Sequence, residues 1–104
     1  MRDIRTYGRQ IQTQCELIAD KCYQREDVTD EMLAIVLKQI VLYTELIVQS
    51  ANNFNDFGNQ INTWQESFAN LAKSVQDKDY ILSADYLHFE ISKEIDEWIA
   101  SMKK

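Results

Sequence analysis

The chain contains no proline and only two glycines, Gly8 and Gly58, in 104 residues. An average chain of this length carries roughly five and seven. Turn-rich folds depend on both residue types, so their scarcity leaves long helices joined by short connections. Hydrophobic residues make up 45% and charged residues 27% of the chain, with two Trp, five Tyr and four Phe. That is enough apolar mass to offset ordering entropy, which argues against disorder. A chain of this size builds a single core. One helical domain over residues 1–104 is therefore expected.

Hydrophobic spacing locates the helices. Ile4, Tyr7 or Gly8, Ile11, Cys15, Ile18 and Cys22 recur in steps of three and four, which predicts a first helix from about Asp3 to Gln24. The polar run Gln24-Arg25-Glu26-Asp27 ends it. Asp27 or Thr29 is positioned to cap a second helix that begins near Asp30. Leu33, Val36, Ile40, Tyr43 and Ile47 form that helix's stripe, but Ile35, Leu37, Val41, Leu42, Leu46 and Val48 make its other sides apolar too. Such a helix either sits centrally or offers a second face to another chain.

Composition and spacing disagree over residues 52–58. Asn52, Asn53, Asn55 and Gly58 mark a break, yet Phe54, Phe57, Ile61, Trp64, Phe68, Leu71 and Val75 continue the helical spacing in phase with the second helix. A continuous helix over 30–76 would be about 70 Å long and would need a partner chain. The expected arrangement is a hairpin, because asparagine favours turns and so long a helix is unusual outside coiled coils. Phe54 and Phe57, beside that hairpin, are expected to be partly exposed, and the other aromatics to pack in the core. After Asp77-Lys78-Asp79, with Asp79 as cap, Tyr80, Ala84, Leu87, Ile91, Ile95, Trp98 and Met102 predict a fourth helix. The expected fold is all-α, an antiparallel up-down-up-down four-helix bundle, with a long-helix dimeric bundle as the alternative.

Charge and chemistry narrow the function classes. The net charge is −6, and no segment carries a basic stripe, so nucleic acid is not an expected partner. Met32 to Val48 is the most apolar run, but Lys38 and Glu45 interrupt it short of the ~18 residues of a membrane span. The first eight residues lack a secretory pattern, and a cytoplasmic location without membrane attachment is expected. Cys15 and Cys22 would lie about 10.5 Å apart along one helix, too far for a disulfide, and read as core thiols. Asp85, His88, Glu90 and Glu94 have some of the spacing of a bundle metal site, but a di-iron pattern needs two histidines and the chain has one. The chain has no phosphate-binding glycine loop, and no catalytic residue, cofactor or metal is assigned.

Asp79-Tyr80-Ile81-Leu82-Ser83-Ala84-Asp85-Tyr86-Leu87-His88-Phe89-Glu90-Ile91, followed by Ile95 and Glu97-Trp98, resembles the C-terminal signature of small uncharacterised helical-bundle proteins of Gram-positive bacteria. In that signature an aspartate-aromatic pair opens a helix reading roughly D-Y-x-L-x-A-D-x-L-x-[YF]-E-[IL]. The resemblance spans about twenty residues and implies a helical fold and a bacterial origin, with no catalytic residue carried over. The family pattern often places a proline where Lys93 stands, so this helix is expected to run straighter. Asp85, beside the apolar stripe, is expected to pair across the bundle with a tyrosine or to take part in binding.

The expected function is protein–protein contact without catalysis, in an adaptor, chaperone-like or regulatory role. Leu37, Val41, Val48 and Asp85 are the candidate interaction surface, and the partner is another protein or a second copy forming a homodimer. An immunity or antitoxin-like protein that neutralises one cognate target is the alternative, and a bundle holding a small ligand ranks below it.

Overall fold

The structure, a computed structural model, describes residues 3–24 and 30–103. Helix α1 spans Ile4–Tyr23 and is capped by Asp3, whose carboxylate accepts the Arg5 backbone N–H at 3.0 Å. Helix α2 spans Asp30–Gln49, with Asp30 and Glu31 in its first turn, where acids suit the helix dipole. The expected caps Asp27 and Thr29 lie outside the described residues.

The asparagine-rich stretch breaks the chain as the hairpin reading requires. A single 3₁₀ turn, Ala51–Asn53, leads to extended Phe54, and helix α3 starts after Asp56 and spans Phe57–Gln76. Phe54 pairs antiparallel with Met102; the Asn55 N–H donates to the Ser101 carbonyl at 3.0 Å and the Lys103 N–H to the Asn53 carbonyl at 2.7 Å. The loop is thus tied to the end of the last helix. This corrects the expectation that Phe54 is partly exposed. It is 4% exposed because that pairing turns its ring onto Trp98, with ring centroids 4.9 Å apart. Phe57 is half-buried.

Helix α4 covers 80–100, capped by Asp79, which accepts the Leu82 N–H at 3.2 Å. It is not uniformly α-helical. Tyr80–Asp85 is α-helical, Tyr86–Ile91 forms a π-helical turn in which the Ser92 N–H reaches the Leu87 carbonyl five residues back, and Ser92–Ala100 is α-helical again. The apolar positions Leu87, Ile91 and Ile95 follow in two successive steps of four. In an α-helix such steps drift around the axis, whereas the wider π turn keeps them in line.

The helices run up, down, up, down, with the order α2, α1, α4, α3 around the bundle. Helix α1 packs on both α2 and α4, α3 packs on α4, and of the neighbouring pairs α2 and α3 touch least. Gly8 permits a close approach: a Cβ there would stand 2.8 Å from the Tyr43 hydroxyl and 3.0 Å from Ile95 Cγ2. One ring from each helix lines up across the core. Tyr7 and Tyr43 are 5.7 Å apart, Tyr43 and Trp64 6.0 Å, and Trp64 and Trp98 6.4 Å, all edge to face.

The stripes of α1 and α2 are buried as the spacing predicts. Helix α3 is rotated from expectation: Trp64 and Leu71 are buried together with Ser67 and Ser74, while Ile61, Phe68 and Val75 are only half-buried on the flank towards α2. Serine is small enough to let α3 approach α4 closely, and Ser74 meets Ser83 of α4 at 2.8 Å.

Candidate functional site

Helix α2 is not the best-buried helix, for it buries five residues where α1 buries eight. Its surplus apolar residues fall on two flanks. Leu37, Val41 and Val48, separated by four and seven positions, share the flank towards α3. Ile35 and Leu42, both exposed, lie on the other side.

The first flank borders a groove. Because α2 and α3 are loosely apposed, a cavity of about 220 Å³ opens between them, lined by Val41, Thr44, Glu45, Trp64, Gln65 and Phe68. One hydrogen bond spans its base, from Trp64 Nε1 to Thr44 Oγ1 at 2.7 Å. Val41 is 42% and Val48 50% exposed; Val41 lines the groove, and Val48 lies two turns further along the same flank of α2. Leu37 differs from the expectation of an outward residue: it is half-buried and packs against the core.

Asp85 belongs to another part of the surface. It accepts a hydrogen bond from the Tyr23 hydroxyl at 2.6 Å, linking α4 to α1. The bond and the burial behind it push the Tyr23 hydroxyl up to about 12, desolvation being the larger cause. The cross-bundle pairing read from the sequence is therefore present, and the structure does not bring Asp85 together with Val41 and Val48. His88 is exposed and pairs through Nδ1 with Glu16 at 2.5 Å. Cys15 and Cys22 are buried free thiols, and burial raises the Cys15 thiol to about 12.

Between α3 and α4 lies a second, polar cleft of about 170 Å³, lined by Asp56, Asn59, Gln60, Thr63, Glu94, Glu97 and Trp98. Glu94 is 7% exposed. Its Oε2 accepts from the Ser67 hydroxyl at 2.5 Å, a hydroxyl that also faces Glu90 at 3.1 Å, and its Oε1 is buried without a partner. Desolvation, reinforced by Glu90 and Glu97 and opposed by Ser67 and Lys93, raises the Glu94 carboxyl to about 7. Sequence reasoning placed Glu94 only in a discarded metal pattern. Its burial follows from the rotation of α3, which no periodicity of α4 reveals. Among the described residues, no three His, Cys, Asp or Glu side chains converge as metal ligands, and no helix is long and apolar enough to cross a membrane.

Fold and groove together define a small four-helix bundle with an incompletely closed seam. The chain belongs to the family described as Domain of unknown function (DUF8042), whose family model covers residues 1–101. No curated protein and no solved structure matches the chain.

Proposed function

We propose that this protein is a non-enzymatic, cytoplasmic interaction module of bacterial origin that receives an amphipathic helix of a partner protein in the α2–α3 groove, in an adaptor, chaperone-like or regulatory role. The observation that carries the reading is the pair Val41 and Val48, seven residues apart on one helical face and about half exposed, with Val41 lining the seam between the most loosely packed neighbouring helices. Burying such a stripe against a helix follows the helix-in-groove mode of recognition. A bundle helix needs only about three buried residues in seven, and α2 carries more apolar side chains than its core side uses.

Charge favours a basic partner over a second copy. The groove rim carries Glu45, residues 28–58 carry a net −3, and two whole chains of charge −6 repel each other. The test is affinity capture from native cells with the wild-type protein and with the Val41→Glu, Val48→Glu double variant, followed by titration of the captured partner. Both sites are exposed, so the variant should keep its helical content and melting temperature while partner affinity falls at least tenfold. Equal affinity of the two proteins for the same partner would remove the groove from the account.

A further inference from the structure

We infer that the polar cleft between α3 and α4 is a binding site for a compact organic cation bearing several N–H donors, a guanidinium or primary ammonium head, which pairs with the unpartnered oxygen of Glu94.

The hydrogen-bond inventory of the cleft is one-sided. Its donors turn largely inward: one N–H of Asn59 Nδ2 to Asp56 at 3.1 Å, one of Gln60 Nε2 to the Glu97 carbonyl at 3.3 Å, the Thr63 hydroxyl to the Asn59 carbonyl at 3.2 Å, and the Ser67 hydroxyl to Glu94 and Glu90. Acceptors remain. Glu94 Oε1 is buried without a partner, and the carboxylates of Asp56 and Glu97 line the same space. A buried polar atom without a partner is costly and calls for an explanation, and here it belongs to a side chain that lines a cavity large enough for a head group. Protonating Glu94 does not relieve the deficit, because a carboxyl O–H at that oxygen would itself need an acceptor. A guanidinium offers five N–H groups in one plane and an ammonium three, with the charge that three carboxylates call for.

The groups around Glu94 set the pH response. On α4 these are Glu90, Lys93 and Glu97, on α3 Ser67, and at the start of α3 Asp56. With its carboxyl raised to about 7, Glu94 is mostly neutral at pH 6 and mostly ionised at pH 8. Both cation types keep their charge over that range, so affinity should rise about tenfold from pH 6 to pH 8. The site lies on the α4 side of α3, away from the α2–α3 groove, and does not depend on the function proposed for that groove.

The test is a two-dimensional NMR titration of the whole chain with methylguanidinium, n-propylammonium and tetramethylammonium at both pH values. The first two should shift the backbone amides of Thr63, Glu94 and Trp98 and bind more tightly at pH 8. Tetramethylammonium, which has charge but no N–H, should bind at least tenfold more weakly. Glu94→Gln keeps the side-chain shape and should weaken binding at least tenfold and abolish its pH dependence. If that variant fails to fold, Glu97→Gln at the exposed rim should weaken binding severalfold. Putrescine and a blocked peptide with a single arginine then distinguish a free amine from a protein side chain as the source, and tighter binding of either supports the site. No shifts in the cleft at millimolar cation, or unchanged binding by Glu94→Gln, would overturn it.

Discussion

At the scale of single residues, the bundle depends on side chains that are absent or small. Gly8 lies where α1 faces side chains of both α2 and α4, and a methyl group there would meet the Tyr43 hydroxyl and Ile95 Cγ2. The Tyr43 ring is held by contacts with Tyr7 and Trp64, so it cannot swing aside cheaply. Gly8→Ala would gain helix propensity of about 1 kcal/mol in an open helix. Overpacking should outweigh that gain and give a net loss of about 1–2 kcal/mol, read as a lower urea midpoint with an unchanged slope. A variant as stable as the wild type would mean that the α1–α2 contact yields more easily than this geometry implies. The sequence marked Gly8 only as an interruption of a stripe. Nothing in the pattern of α1 alone records that the missing side chain makes room for a tyrosine thirty-five positions later.

At the scale of elements, legibility varied with what each helix packs against. The stripes of α1 and α2 could be read residue by residue because both bury aliphatic and aromatic side chains. Helix α3 could not, because its contact with α4 uses Ser67 and Ser74, which hydrophobic spacing counts as surface. The same choice brings Glu94 into a buried position opposite Ser67. The surplus on α2 was legible, and Val41 and Val48 are exposed, but the groove beside Val41 arises from the looseness of α2 against α3, a property of the pair. The connection between α3 and α4 offers a direct test of local geometry. Lys78 follows the α3 C-cap in a left-handed conformation, with φ of 57°, a position where glycine is the common solution. Its exposed ion pair with Asp30 contributes little. Lys78→Gly should therefore stabilise the protein by about 0.5–1 kcal/mol, the relief of the left-handed penalty exceeding the entropy glycine adds to the unfolded chain. A lower melting temperature for that variant would show that the link to Asp30 outweighs backbone relief.

At the scale of the whole molecule, contacts are distributed unevenly. Helix α1 is flanked by α2 and α4, α3 rests on α4, and α2 is held mainly from one side. Local stability follows local packing, so backbone amides in α1 and α4 should be the slowest to exchange with deuterium and those of α2 measurably faster. A single uniform exchange rate would show that the bundle opens only as a whole and that the α2–α3 seam carries no separate freedom. Loose seams suit a protein that accepts another helix, since the cost of parting two elements is lowest where they already touch least.

The row formed by Tyr7, Tyr43, Trp64 and Trp98 takes one ring from each helix at edge-to-face separations near 6 Å. Rings this close and this fixed couple optically, so the near-ultraviolet circular dichroism of the protein should be a collective signal of all four helices in register. The molecule thereby carries its own gauge of assembly. Displacement of α2 by an incoming partner would be seen as a change in ellipticity with no label attached, and loss of the band while the far-ultraviolet helix signal persists would identify a bundle whose helices remain but no longer fit together.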